Sequence, residues 1–302
     1  DAITPIALPS SSELQENKTN NASGSISFSA GGTMLFAKIV GNLQGSVSGS
    51  ISLEKSKLMD VNNDGYPDMV YSSLTQPGVY KVHYSTLGKI NLLKQIDNNF
   101  ESSISIDYDL SESSQDMPSR KWVMDNVIVY DGYTSTRDGE DYIEYEYSYE
   151  YPYHDRYERT FYGFEIVTTK QVDYSSATKA LYRKTVDQYN NHDFLFKGLQ
   201  LKSTVYDAAG NIYQEMVNTY DRKEITTGNI IPAGQEYCYT TNYPAISAID
   251  KYFYKGDGST TAEIHTRQEF YHGPYGNVKE VRDLRDMNSN TDDDVYSYIS
   301  YA

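Results

Sequence analysis

Ten consecutive residues, Tyr142-Ile143-Glu144-Tyr145-Glu146-Tyr147-Ser148-Tyr149-Glu150-Tyr151, constrain the fold more than any other segment of the chain. In an extended backbone successive side chains point to opposite sides. Tyr145, Tyr147, Tyr149 and Tyr151 then share one face, and Glu144, Glu146, Ser148 and Glu150 the other. A helix would scatter both sets around its circumference and bury neither. At ~3.3 Å per residue the run spans roughly 33 Å, about twice the usual strand length. Strands of that length suit a large curved sheet better than a small sandwich.

The same two-residue period returns along the chain. It marks residues 25–29, 45–53, 103–108, 122–130, 201–206 and 264–271 as strands. Between them lie turn signals: Asp131-Gly132, Asp138-Gly139, Ala209-Gly210-Asn211, Gly256-Asp257-Gly258 and Tyr275-Gly276-Asn277. No amphipathic helical period is present, so the expected fold is nearly all β, built of long antiparallel strands and hairpins. Two of the turns are alike. Tyr206-Asp207 precedes Gly210-Asn211, and Tyr271 precedes Gly276-Asn277, a weak internal repeat of strand, tyrosine, turn and strand.

Composition supports this and removes several functions. Of 302 residues 31 are Tyr, against 9 Phe and 1 Trp, and the net charge is −16. Tyrosine suits half-buried strand faces, where its ring packs and its hydroxyl stays wet. The acidity argues against nucleic-acid binding, which needs clustered Lys and Arg. The single cysteine, Cys238, cannot form an internal disulfide and reads as an idle thiol. No apolar run approaches the ~20 residues of a membrane span, and no signal peptide is visible. The chain opens on Asp1 and closes within a strand-like run, so a piece of a longer protein is expected. Three segments follow: a polar, disordered linker over residues 1–24, a β segment over 25–88, and a β-sheet over 89–302.

The sharpest local motif is Asp60-Val61-Asn62-Asn63-Asp64-Gly65-Tyr66-Pro67-Asp68. Oxygen side chains fall at positions 1, 3, 5 and 9, and Gly65 stands at position 6, where the chain must turn sharply. Such a loop wraps a hard cation, with Asp60, Asn62, Asp64, Asp68 and the Tyr66 carbonyl as calcium ligands. An EF-hand would place Glu at position 12, but Tyr71 stands there, and the flanks read as strands. The competing reading is an Asx-rich turn without metal. A second acidic run, residues 286–294, lacks the glycine and reads as a solvated loop.

No catalytic constellation emerges. Glu144, Glu146 and Glu150 alternate on one strand face and read as solvent-facing. His83, His154, His192, His265 and His272 show no compact ligand spacing, and no nucleophile elbow, phosphate loop or dinucleotide fingerprint occurs. The chain is therefore not expected to be an enzyme. Arg156, Glu158 and Arg159 read as structural, in cross-strand ion pairs.

Several segments together resemble one family. The loop with its flank, residues 58–68, resembles the calcium loop of FG-GAP/VCBS propeller blades, as in the last such repeat of SpvB/TcB-like toxin proteins. Residues 92–98 followed by 103–108, then 122–127, then 153–164, resemble that family's entry into its shell. The turns at Gly210-Asn211 and Gly276-Asn277 resemble degenerate Rhs (YD) repeats. The resemblance is to Rhs-type toxin shell proteins, the insecticidal Tc toxin B components among them. It implies a secreted or cell-surface protein whose sheet forms part of a cocoon around a C-terminal toxic domain absent from these residues. The implied partners are the remainder of the parent chain, its toxic domain and other toxin-complex subunits. The rival reading is a calcium-dependent adhesin or glycan-binding module, since tyrosine-rich faces also stack on sugars.

Overall fold

The computed structural model describes residues 20–23, 37–40, 48–53, 56–72, 79–133, 141–174, 179–235, 241–288 and 293–301. The chain divides into two compact units. One comprises residues 1–92 with 119–122, and the other residues 93–118 with 123–302. Among the described residues there is no α-helix; a 3-10 turn lies at Pro274–Gly276. The nearly all-β, antiparallel expectation is met.

The first unit holds two three-stranded antiparallel sheets. β1 (Asn20–Ser23), β2 (Ala37–Val40) and β3 (Ser48–Leu53) pair in the order β1-β3-β2. β1 lies inside the stretch expected to be a disordered linker. β4 (Ser56–Met59), β5 (Asp68–Ser72) and β6 (Tyr80–His83) pair in sequence order. The central strand β5 buries Val70 and Tyr71, whose ring stacks on His83 at 5.4 Å while its hydroxyl meets His83 Nε2 at 3.1 Å.

The second unit is one sheet of twelve strands. These are β7 (Gln95–Asp97), β8 (Ser103–Leu110), β9 (Trp122–Tyr130), β10 (Tyr142–Asp155), β11 (Thr160–Asp173) and β12 (Leu181–Asn190), followed by β13 (Leu199–Tyr206), β14 (Ile212–Glu224), β15 (Asn242–Phe253), β16 (Ile264–His272), β17 (Val278–Asp286) and β18 (Val295–Tyr298). Every strand is bonded to its neighbour in sequence, from β7 at one edge to β18 at the other. Each register in this meander is antiparallel where it is defined.

The tyrosine alternation lies in β10, which is longer than the sequence suggests. Tyr151 adopts φ +54°, and the register with β11 shifts between Tyr153 and His154. A bulge thus re-aims the distal half of the strand. Opposite it, Gly163 in β11 has φ +116°, and a Cβ there would lie 3.2 Å from Asn191 Nδ2. Glycine is needed at this position both for its backbone angle and for space. Asn191 is 2% exposed; it donates to Phe164 O at 2.6 Å and accepts from Gly198 N at 2.9 Å. The β11–β12 register ends at Ile166↔Gln188. The Asn191 amide continues the ladder beyond that point and fastens the β12–β13 turn.

Candidate functional site

The Asx-rich loop joins β4 to β5 as a tight turn, with Asn63 at φ +58° and Gly65 at φ +87°. Its side chains curl onto its own backbone. Asp64 N–H donates to Asp60 Oδ1 at 3.1 Å and to Asn62 Oδ1 at 3.2 Å. Gly65 N–H donates to Asp60 Oδ2 at 2.8 Å, and Tyr66 N–H to Asp64 Oδ1 at 2.8 Å. Asn62 Nδ2 donates to Asp64 Oδ2 at 3.0 Å. Asp60, Asn62 and Asp64 are thus brought together, with two of their oxygens sharing one amide.

Asp68 behaves differently. It is fully buried, and its two oxygens accept from Val61 N–H at 2.9 Å and Ser85 N–H at 2.8 Å. It clamps the loop to the chain 17 residues on. The Tyr66 hydroxyl exchanges hydrogen bonds with Ile90 N and O, and the Trp122 indole of the same unit donates to Asp64 O at 3.1 Å. The gathered oxygens of Asp60, Asn62 and Asp64 have the hard-donor chemistry that suits calcium. Among the described residues, no three His, Cys, Asp or Glu side chains form a metal-holding group.

Elsewhere two sequence expectations are corrected. Glu144 is 2% exposed and not solvent-facing. Lys179 Nζ, from the β11–β12 hairpin, meets Glu144 Oε1 at 2.6 Å, and Asn126 Nδ2 donates to the same oxygen. This contact is the main cause of a raised Lys179 pKa. Among the described residues, Arg156, Glu158 and Arg159 do not form cross-strand pairs. They occupy the turn after β10, where Arg156 donates to Gln115 O at 3.0 Å, Glu158 N–H caps on Asp155, and Arg159 has φ +53°. Cys238 and residues 289–292 of the acidic run lie outside the described residues. The histidines are dispersed: His265 meets Asp250 at 2.7 Å, and His192 meets Glu165 at 3.4 Å.

The register reveals what the sequence concealed, which side chains share each face of the twelve-stranded sheet. Paired residues point the same way in an antiparallel ladder. On one face Glu146 lies opposite Lys170, and Lys170 opposite Lys184. Thr204 lies opposite Glu215, Val217 opposite Asp250, Asp250 opposite Arg267, and Glu269 opposite Arg282. Several of these charges are ion-paired within the sheet. Lys202 meets Glu215 at 2.7 Å, Arg267 meets Asp250 and Glu269 each at 3.0 Å, and Arg282 meets Glu280 at 2.7 Å. Arg282 also lies over the Tyr271 ring at 4.2 Å.

The opposite face runs from Tyr145, Tyr147 and Tyr149 through Gln171, Thr169 and Val167 to Thr185, Ser203 and Val205. It continues through Gln214, Met216 and Asn218 to Ile249 and Phe253, then Gln268, Phe270 and Val281. Its described, paired positions carry charges as well, among them Asp173, Arg183, Asp187, Lys251, Asp283 and Asp286. Asp187 accepts from Gln200 and Asp283 from Gln268. Tyr149 donates to Met124 O at 2.9 Å, and burial, with Tyr147 and Asp125 nearby, pushes its phenol up to about 12. A groove of about 280 Å³ on this face is lined by Ile249, Lys251, Thr266, Gln268, Asp283 and Arg285.

Residues 28–194 match the family model for the insecticide toxin TcdB middle/N-terminal region. No curated protein matches the chain by sequence. Among solved structures, the chain is similar to TcdB2-TccC3 without its hypervariable C-terminal region, with TM-score 0.54 and 11% identity over 79% of this chain and 14% of that one. It is similar to TcdB2-TccC3 with TM-score 0.52 and 11% identity, over 79% of this chain and 15% of that one. A Tc holotoxin pore from Photorhabdus luminescens gives TM-score 0.54 and 12% identity, over 79% and 14%. The chain therefore spans about one-seventh of the length of each.

Proposed function

The chain belongs to the family of the insecticide toxin TcdB middle/N-terminal region, the B components of Tc toxins, and on that premise we propose that it is a non-catalytic wall segment of a secreted Rhs-type toxin. In this reading the segment helps to enclose a C-terminal toxic domain carried elsewhere in the assembly, and works alongside other toxin-complex subunits. The observation that carries it is the twelve-stranded meander taken strictly in sequence order. Twisted open sheets beyond ~10 strands curl or split, so a sheet this wide favours a closed wall over a flat layer. Enclosure needs steric exclusion and no reactive group.

A calcium ion held by Asp60, Asn62, Asp64, the Tyr66 carbonyl and Asp68 in an FG-GAP/VCBS-type loop is part of the same proposal. Its support is the convergence of the Asp60, Asn62 and Asp64 oxygens; for Asp68 the support is sequence spacing alone. The ion would neutralise the loop's carboxylates and hold the β4–β5 turn closed.

Electron microscopy of the assembled parent protein tests the wall. A hollow shell with internal density is the expected result. An open rod or a string of separate domains would overturn it and make the adhesin reading the working one.

A further inference from the structure

We propose that Lys179 and Asn126 react with each other to form an amide cross-link between their side chains, with Glu144 moving the protons. Two strands and a hairpin supply the parts. In the ladder Glu144 of β10 lies between Ile128 of β9 and Val172 of β11, and Asn126 of β9 stands opposite Glu146, on the same face as Glu144. Lys179, from the β11–β12 hairpin, reaches over β11 to the same carboxylate. Glu144 Oε1 accepts from Lys179 Nζ at 2.6 Å and also from Asn126 Nδ2. One oxygen thus holds an amine and a carboxamide within about two hydrogen-bond lengths of each other.

Two further observations point to chemistry and not to an ion pair alone. Glu144 is 2% exposed, and its second oxygen, Oε2, is buried with no hydrogen-bond partner among the described residues. An ion pair leaves that acceptor unsatisfied at a cost, whereas a group that must take up a proton has a use for it. Lys179 itself stands at φ +46°, a strained angle for a residue other than glycine. Such strain persists where the surrounding structure imposes it, and it collects at functional sites.

The step balances without any further reagent. Lys179 enters as an ammonium, because its hydrogen bond to Glu144 raises its pKa, and it passes one proton to Glu144. The freed Nζ lone pair attacks Asn126 Cγ, so that the Nζ–Cγ bond forms and the Cγ–Nδ2 bond breaks. The departing Nδ2 takes the proton from Glu144 and one more from Nζ, and leaves as ammonium. Nothing is oxidised or reduced, and Glu144 ends as it began. A polar groove of about 230 Å³, lined in part by Asn126, Glu146, Lys170 and Lys179, gives the ammonium a way out. The product ties β9 to the β11–β12 hairpin across β10 and β11. It forms once per chain, so it adds no turnover to the wall reading and does not depend on it.

Peptide mass spectrometry of the parent protein, denatured and digested with trypsin, tests the bond. The expected result is a branched peptide joining Asn126 to Lys179, about 17 Da lighter than its two linear parts and uncut after Lys179. Lys179→Arg, at a half-exposed position, and Asn126→Ala abolish it, while Lys170→Arg, in the same groove, does not. Glu144→Gln slows its formation by about a hundredfold or more. Circular dichroism checks that each variant folds, and the parent chain alone decides whether the bond exists. Linear peptides with Asn126 intact and Lys179 cut, after prolonged incubation of the folded parent, would overturn the cross-link and leave an ion pair. A branch from either residue to a different partner would overturn it too. An unchanged rate in folded Glu144→Gln would remove Glu144 from the reaction and the proposal with it.

Discussion

Replacing Asn191 by alanine tests whether one buried amide holds the β11–β12–β13 corner. Its side chain is 2% exposed, donates to Phe164 O at 2.6 Å and accepts from Gly198 N–H at 2.9 Å. Phe164 stands opposite Pro152, which has no N–H to offer in place of the lost donor. Leaving that carbonyl unpaired costs about 1–3 kcal/mol. Gly198 N–H keeps a second acceptor, Asn190 O at 3.2 Å, so its share stays near ~0.5–1 kcal/mol. The expected loss is about 2–4 kcal/mol. In urea, at ~3 kcal/mol per M for a unit of this size, the unfolding midpoint drops by roughly 1 M. Gly163→Ala destabilises the same corner through its φ of +116° and its crowding of Asn191 Nδ2. Removing Asn191 relieves only the crowding, so the two changes together cost less than their sum. A midpoint shift below about 0.3 M for Asn191→Ala would refute the reasoning, because it would mean that water satisfies both groups without the amide.

Other expectations follow from the same geometry. The hydroxyl and N–H of Thr226, then the Thr227 hydroxyl, hold the Glu224 carboxyl down at about 2. A depressed folded pKa means that Glu224 stabilises above its unfolded value, ~4.3, and the contribution fades as pH falls through about 2. NMR titration reads that value directly, and Glu224→Gln flattens the acid limb of the melting curve; a Glu224 titrating near 4 sinks this account. Asp250→Ala removes the acid that meets His265 and leaves Arg267 with Glu269 alone; it costs about 2 kcal/mol, less than a fully buried pair because the Arg267 guanidinium is one-third exposed and keeps that second partner. Lys255→Ala, in the exposed pair with Glu263, leaves the midpoint where it was; equal effects from these two would contradict the burial argument. Calcium at a hundredfold excess over its Kd adds about 3 kcal/mol to stability. Asp60→Ala weakens the loop by itself, since Asp60 also holds Gly65 N–H, so the decisive reading is the calcium-dependent rise in Tm. That rise disappears in the variant, and no rise in the parent chain leaves an Asx turn.

Strand β10 was legible because its rings alternate without interruption, and β4 and β5 because the loop between them is so strongly marked. The long strands β11, β12, β14, β15 and β17 gave no comparable signal. A sheet of two mixed-polarity faces does not need the inside–outside alternation that makes a half-buried strand visible. Residues such as Lys170, Thr168 and Ile166 share one face, so the period of two is present in space but not in hydropathy. The burial of Glu144 was hidden for a related reason. It depends on Lys179, 35 residues away and brought across β11 by a hairpin. Asp68 looked equivalent to Asp60 and Asp64 in spacing, but only the return of Ser85 shows that both its oxygens already hold backbone amides.

The strictly sequential strand order also bears on how such a protein is made. Each new strand needs only the one synthesised just before it, so the closing loops are short and pairing can follow the chain as it leaves the ribosome, with little waiting for distant partners. Widening the sheet then requires neither a new topology nor a rearranged core. Duplicating a hairpin adds two strands at the growing edge, and the width of the sheet becomes a matter of how long translation continues.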